Sequence, residues 1–153
     1  MPFETYLIVS LVILVTLVFL VMQQKKRENM KKEIANLLAR YGVLSNTNGQ
    51  MQYQIGRSHY RVMFFYLPEH SELTINSRVI WELRSTGKPR LINQSEFLKG
   101  ETKKIVIVYP SNAPIKRYIN ENEMEFIHYQ TEFYNMRVLR VFEISDWAKE
   151  ELT

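Results

Sequence analysis

The chain opens with a continuous apolar run. From Tyr6 to Met22 it reads YLIVSLVILVTLVFLVM, in which only Ser10 and Thr16 are polar and no residue is charged. At about 1.5 Å per residue, a helix of this length spans about 25 Å and, with its flanks, crosses a hydrocarbon core of about 30 Å. The pattern predicts a transmembrane anchor within residues 1–24.

A cleaved signal peptide is the competing interpretation of this run. Signal peptides have a basic start and a small-residue cleavage site. Here MPFET precedes the run without a base, and Gln23-Gln24-Lys25 follows it without an Ala-x-Ala-like site. Both observations favour an anchor that is retained.

A helical stripe follows the anchor. Apolar side chains recur at steps of three and four residues, and Gly42 provides a natural stop. The stripe consists of Met30, Ile34, Leu37, Leu38 and Tyr41. We therefore predict that residues 25–42 form a basic amphipathic stalk helix continuous with the anchor. The stripe packs either on its own domain or on a partner helix, including a second copy of the chain.

Residues 43–153 show the period of two that is typical of strands. After a turn-rich linker at 45–49, the pattern predicts strands over Gln50–Ile55, Tyr60–Leu67 and Leu73–Leu83, joined by short turns as an antiparallel meander. The run Lys104–Tyr109 is apolar on both faces, which is typical of a buried central strand.

The last third of the chain contains both helical spacing and the period of two that is typical of strands. Ile115, Tyr118 and Ile119 follow Pro114 at helical spacing and predict a helix. Two further strands are predicted, and then a terminal helix capped by Ser145. Their ranges are Met124–Tyr129, Met136–Ile144 and Asp146–Leu152. The whole predicts an α+β domain at 43–153, with a mixed, mostly antiparallel sheet and one or two packed helices.

Charge indicates an orientation. Five basic residues follow the apolar run within ten positions and none precedes it, so the domain is predicted to be cytoplasmic and the N-terminus outside. Lys25, Lys26 and Arg27 are placed to contact anionic headgroups. Residues 41–153 carry a net charge of only +1, which argues against a nucleic-acid-binding face.

Composition excludes several chemistries. The chain has no Cys and a single Asp, Asp146, so disulfides, thiolate catalysis and EF-hand loops are ruled out. His59, His70 and His128 lack zinc-ligand spacing. No phosphate-binding glycine motif occurs. We predict no catalytic, cofactor-binding or metal-ligating residue. One small anion site remains a hypothesis, formed by Lys116, Arg117, Arg137 and Arg140.

One motif resembles the restriction-endonuclease-like PD-(D/E)xK family. Pro68-Glu69 is followed after twelve residues by Glu82-Leu83-Arg84. The resemblance implies two acids that hold a divalent metal. Glu69 replaces the usual Asp and Arg84 the usual Lys, and arginine cannot act as a base. This alternative therefore predicts a degenerate, inactive relative.

The layout also resembles that of pseudopilins. A transmembrane helix runs into an amphipathic stalk and a β-rich domain, and Phe3-Glu4 is similar to the residues that follow a pilin cleavage site. This alternative implies an envelope fibre subunit with its domain outside the cytoplasm. The main expectation is a membrane-anchored interaction or scaffold module that binds a protein partner or itself.

Overall fold

Helix α1 runs without a break over Phe3–Ala39, in a computed structural model that describes residues 2–153. No proline or glycine interrupts these residues. Ser10 and Thr16 each donate a hydrogen bond to a carbonyl three or four residues earlier, so neither polar group is left without a partner. The predicted continuity of anchor and stalk is confirmed.

The chain divides into two compact units. The first ends at Glu33 and consists of the apolar and basic parts of α1. The second begins at Ile34 and contains the last turns of α1 and all the strands. Two turns of the predicted stalk therefore belong to the folded domain.

Ten strands and three short helical segments follow α1. The strands are β1 (Val43–Thr47), β2 (Gln50–Ile55), β3 (Ser58–Leu67), β4 (Glu72–Ile75), β5 (Ile80–Arg84), β6 (Arg90–Asn93), β7 (Lys104–Pro110), β8 (Ile115–Asn120), β9 (Glu123–Ile127) and β10 (Met136–Arg140). The helical segments are α2 (Ser95–Leu98), a 3-10 turn (Val141–Glu143) and α3 (Ile144–Leu152).

The first sheet has the order β1-β2-β3-β7-β10. Its first three strands pair antiparallel, whereas β3, β7 and β10 run parallel to one another. Every residue from Lys104 to Tyr109 in β7 is buried. The predicted buried central strand is confirmed, because β7 lies between two neighbours and both of its faces are covered.

The second sheet has the order β6-β5-β4-β8-β9. Only its central pair, β4 and β8, is parallel. The two sheets share an apolar core in which Trp81 of β5 is fully buried, with its ring centroid 5.8 Å from that of Phe65 in β3.

Helices cover the other face of the first sheet. The ring of Trp147 in α3 lies 5.6 Å from that of Tyr60 in β3. Tyr60 and Phe65 are an odd number of residues apart in one strand, so they point to opposite faces. Ile34 and Leu38 of α1 are also buried, and the Tyr53 hydroxyl donates to the Leu38 carbonyl at 2.9 Å.

The predicted α+β class, with mixed sheets and packed helices, is confirmed. The strands divide between two sheets, however, and the predicted strand over Leu73–Leu83 is wrong. It is the β4–β5 hairpin, in which Ile75 pairs with Trp81 and Leu73 with Leu83. Because paired residues share a face, odd positions point inward in both arms. In a hairpin of this register, inward-pointing side chains recur at every second residue, as they do in one long strand. The sequence pattern therefore does not distinguish the two structures.

The predicted helix after Pro114 is also wrong, because Ile115–Asn120 is strand β8. Ile115 pairs with Ile127 of β9, and Lys116 with Thr74 of β4. Six residues are too few to separate a helical from a strand pattern. Tertiary pairing on both sides of β8 therefore decides its conformation.

Two smaller predictions are also wrong. Residues 45–49 are not a linker, because β1 ends there in a hairpin turn at Asn48-Gly49, with φ of 53° and 77°. The last strand stops at Arg140, where the Glu143 carboxylate accepts a hydrogen bond from the Arg140 amide. That bond begins the 3-10 turn, so α3 starts at Ile144 and Ser145 is not its cap.

Candidate functional site

Exposed apolar side chains cluster on the hairpin formed by β8 and β9. Tyr118 is 41% exposed, Ile119 48%, Met124 44% and Phe126 52%. Tyr118 pairs directly with Met124 across the hairpin, and Phe126 pairs with Lys116. We refer to Tyr118, Ile119, Met124 and Phe126 as the β8–β9 patch.

Strand alternation explains why this face is open. Ile115 and Ile127 point into the inter-sheet core and are only 1% and 3% exposed. Arg117 also lies on the covered side, with its guanidinium bonded to Glu125 and placed 4.5 Å from the centre of the Phe133 ring. Alternation then places Tyr118, Met124 and Phe126 on the outward face, and Ile119 lies at the register shift between Tyr118 and Asn120. The inner face of the hairpin is closed, and its outer face is apolar and uncovered.

A shallow cleft of about 530 Å³ adjoins the patch. Tyr118, Ile119 and Tyr134 line it together with Asn76 and Ser77 of the β4–β5 turn. The cleft thus joins aromatic surface from the β8–β9 hairpin to polar groups of the neighbouring turn.

The patch lies at a free edge of the second sheet. Strand β9 is last in the strand order, so one side of its backbone has no neighbouring strand. The entry into β9 is acidic: Glu121 in the turn and Glu123 at the start of the strand are exposed, and Asn120 donates to the Glu123 carboxylate at 3.0 Å. Proteins usually protect an exposed edge with charge, a bulge or a covering loop. Here the edge strand β9 carries two exposed apolar side chains, Met124 and Phe126.

Each of the four cations of the hypothetical anion site is paired with a separate carboxylate. Their positive charges are therefore already offset. The pairs are Lys116–Glu72, Arg117–Glu125, Arg137–Glu132 and Arg140–Glu143. The helix predicted after Pro114 is absent as well, because β8 takes its place.

The nuclease-like residues do not form a metal-binding group within residues 2–153. Glu69 is exposed in the turn after β3, and Glu82 binds Asn76 at 3.3 Å and Arg84 at 3.0 Å. Between residues 2 and 153 no group of three or more His, Asp or Glu side chains is close enough to hold a metal ion. Nothing in this geometry favours metal-assisted hydrolysis.

The three histidines are all exposed. His59 lies in β3, His128 follows β9, and His70 occupies a turn with φ of 65°. A positive φ in a residue with a side chain is uncommon outside turns. The structure brings none of the three into a cluster with acids within residues 2–153.

The structure shows where part of the apolar stripe of the stalk packs. Ile34 and Leu38 are buried and Leu37 is half-buried, so this part of the stripe packs on its own domain. Tyr53 adds a hydrogen bond to the same place through the Leu38 carbonyl. The interpretation that the stripe packs on its own domain is supported from Ile34 onward.

Sequence reasoning missed the β8–β9 patch. The spacing of Ile115, Tyr118 and Ile119 placed those residues on a helix face, where Tyr118 and Ile119 would pack inward. Alternation of Met124 and Phe126 with Glu123 and Glu125 was a usable signal for a strand with one apolar face. It did not reveal which face would be covered.

Helix α1 is long and apolar enough to cross a membrane, by length and composition, and its apolar window is fully exposed. A signal sequence near an N-terminus would satisfy the same measure. No protein-family model, curated protein or solved structure matches the chain. Function must therefore be argued from these surfaces.

Proposed function

We propose that this is a single-pass membrane protein whose C-terminal domain lies in the cytoplasm and holds a protein partner at the bilayer. The single observation that carries the proposal is the exposed β8–β9 patch at a free sheet edge. Within residues 2–153, no group of three or more His, Asp or Glu side chains competes with it.

Anchoring is supported by the exposed apolar surface of α1. Large side chains from Tyr6 to Met22 are 50–65% exposed, and each would cost free energy if it stayed in contact with water. A lipid bilayer can cover these apolar side chains without any other protein. Lys25, Lys26 and Arg27 follow at once and are exposed, which suits contact with anionic headgroups at about 1 kcal/mol each.

The cytoplasmic orientation rests on charge. Basic flanks are retained in the cytoplasm, and all the flanking bases lie on the domain side of the apolar segment. We expect a green fluorescent protein fused after Thr153 to fluoresce in the cell, and alkaline phosphatase fused at the same point to be inactive. The reverse result would contradict the orientation and would favour the pseudopilin-like alternative.

The occupant we propose for the patch is an extended segment of a partner protein. A free edge accepts a strand through its backbone groups, and apolar side chains at alternate positions of that strand would cover Met124 and Phe126. Glu121 and Glu123 at one end favour a segment with a basic residue there. The same acids disfavour a lipid surface of negative charge.

Site-specific photo-crosslinking in the native membrane tests this occupant. A photoreactive phenylalanine analogue at Phe126 should give an adduct with another polypeptide, and the adduct should be lost when Glu121 and Glu123 are changed to Lys. The analogue at Phe142, an exposed aromatic outside the patch, is the matched control and should give none.

Three results would contradict the assignment. They are an adduct at twice the 18.3 kDa mass of the chain, an adduct with lipid, and equal adducts from both positions. The first would indicate self-association, the second a membrane-facing hairpin, and the third a surface without specificity.

A further inference from the structure

The cleft beside the β8–β9 patch lies where two neighbouring strands separate. Strand β4 pairs with β8 only as far as Ile75, which lies opposite Arg117, and the β4–β5 turn begins at Asn76. The next residues of β8, Tyr118 and Ile119, therefore have no strand beside them on that side. They line the cleft of about 530 Å³ together with Asn76 and the start of the β8–β9 turn.

Tyr134 lines the same cleft from a turn that is held in place. Tyr134 and Asn135 both have positive φ, of 52° and 58°. Phe133 and Met136 exchange two backbone hydrogen bonds around them, at 3.1 and 2.9 Å, and the Asn135 side chain donates to the Glu101 carbonyl. A bulky side chain at positive φ is strained, and such strain collects at ligand-binding sites. The Tyr134 ring also rests against that of Phe133, with centroids 5.5 Å apart.

The charge of the lining suits a positively charged group. Among the described residues that line the cleft there is one carboxylate, that of Glu121, and no Lys, Arg or His. Arg78, which follows the lining residue Ser77 in sequence, is not part of the lining. Glu121 is exposed and belongs to none of the ion pairs within residues 2–153. The Asn76 amide donates to Glu82, whereas its side-chain oxygen has no partner within the same residues.

Two aromatic rings strengthen this preference for a cation. Tyr118 and Tyr134 are 41% and 38% exposed and line one cleft. The face of an aromatic ring attracts a cation, and arginine is the more frequent partner because its planar guanidinium also stacks on the ring. Small-molecule ligands are largely enclosed by their sites. A shallow cleft instead suits one side chain of a polypeptide that crosses the surface.

We propose that the partner of the β8–β9 patch places an arginine side chain in this cleft. Its guanidinium packs on Tyr118 and Tyr134 and pairs with Glu121. This inference rests on the proposed function, because Tyr118 and Ile119 belong both to the patch and to the lining of the cleft. A segment that covers the patch therefore also reaches the cleft.

Binding of the guanidinium group is tested without the partner. The full chain in dodecyl maltoside is titrated with N-acetyl-arginine methylamide, and backbone amide shifts are followed by nuclear magnetic resonance. N-acetyl-citrulline methylamide, which has a similar shape without the charge, is the matched probe. Glu121→Gln, Tyr134→Leu and Tyr118→Leu are the informative variants. The controls are Glu96→Gln, which changes an exposed acid of α2, and Tyr134→Phe, which keeps the ring.

We expect saturable shifts at residues 118–121 and 134 with the arginine derivative and none with the citrulline derivative. Glu121→Gln and Tyr134→Leu should each weaken binding about two- to fivefold, the loss typical of an exposed ion pair or cation–π contact. Both controls should bind as wild type does. If Tyr134→Leu melts below wild type, the same loss in Tyr118→Leu decides. No saturable shift, equal shifts with the two probes, or wild-type affinity in both leucine variants would overturn the proposal.

The link to the partner is tested by the photo-crosslink at Phe126. Tyr134 lies outside the β8–β9 patch, so Tyr134→Leu should lower the yield of the adduct and Tyr134→Phe should not. An unchanged yield would mean that the cleft and the patch have different occupants, which would overturn the inference and leave the proposed function intact. Absence of any adduct in wild type would instead contradict the proposed function itself, and with it the partner inferred for the cleft.

Discussion

Single side chains tie the end of α1 to the first sheet. Tyr53 of β2 is 1% exposed, and its hydroxyl donates to the Leu38 carbonyl at 2.9 Å. Gly42 lies against the same residue, because a Cβ there would come within 2.9 Å of the Tyr53 ring and would clash with the Gln54 carbonyl oxygen. The glycine predicted as a helix stop is thus required for close packing.

Tyr53 should make unfolding depend on pH in the alkaline range. Burial, with the nearby Tyr41, raises its pKa from 10.0 to about 12. The folded state therefore favours the neutral phenol, and the stability this contributes is complete below pH 10 and is lost as pH rises from 10 to about 12. We expect Tyr53→Phe to lower the free energy of unfolding at pH 8 by about 1 kcal/mol.

Above pH 10 the difference between Tyr53→Phe and wild type should shrink, since phenylalanine does not ionise in the unfolded chain. Urea unfolding in mild detergent, followed by tryptophan fluorescence at pH 8 and pH 11, measures both quantities. Tyr118→Phe, which changes an exposed phenol, is the control. A difference that stays constant across this range would contradict the burial of the phenol.

Gly42→Ala should destabilise the domain by about 1–3 kcal/mol, the usual cost of overpacking. The clash is with a backbone oxygen of β2, which can move only if the strand moves. Melting temperatures of the full chain in detergent provide the measurement, with the exposed helical change Asn36→Ala as a control. Unchanged melting in Gly42→Ala would mean that Gly42 is not in close contact with β2.

At the scale of elements, α1 has two roles along one continuous helix. Its apolar part has no packing partner within its own compact unit, whereas its last turns, from Ile34, are part of the folded domain. The strands also differ in how much of their surface is covered. In the first sheet β7 is buried between the parallel strands β3 and β10, whereas the β8–β9 hairpin of the second sheet leaves one face open.

Removing the last turns of α1 should therefore destabilise the domain. A fragment of residues 43–153 lacks Ile34 and Leu38, and each buried side chain contributes about 1.5–3 kcal/mol. We expect a fragment of residues 25–153 to be more stable by about 3–6 kcal/mol. Urea denaturation of the two fragments measures this difference. Equal stability would favour the alternative in which the stripe serves a partner helix.

At the scale of the whole molecule, the apolar segment of α1 is compatible with a membrane anchor, and retention of the proposed anchor can be tested. We expect the full chain to remain in the membrane pellet after alkaline carbonate extraction and residues 25–153 to be released, since only the former has the apolar span. Intact mass of the pelleted protein is the control for cleavage. A soluble full chain, or a mass that lacks the first 24 residues, would contradict retention of the anchor.

Much of this protein follows from its sequence, because some signals are local. An uncharged run from Tyr6 to Met22 is apolar in any fold, and a helix without glycine or proline continues through it. The run Lys104–Tyr109 is apolar on both faces, and only a central strand buries both. These features, and the α+β class, required no knowledge of distant contacts.

Tertiary structure decided what depends on pairing between distant segments. The sequence pattern does not decide whether Leu73–Leu83 is one strand or a hairpin, since both alternatives point the same alternate side chains inward. Whether Ile115–Asn120 is helix or strand is settled by β4 and β9, which pair with it on either side. The same holds for the surfaces. Asn76 and Tyr118 are 42 positions apart in the sequence and line one cleft only because β4 and β8 pair. Met124 and Phe126 are exposed because no other element covers the outer face of the β8–β9 hairpin.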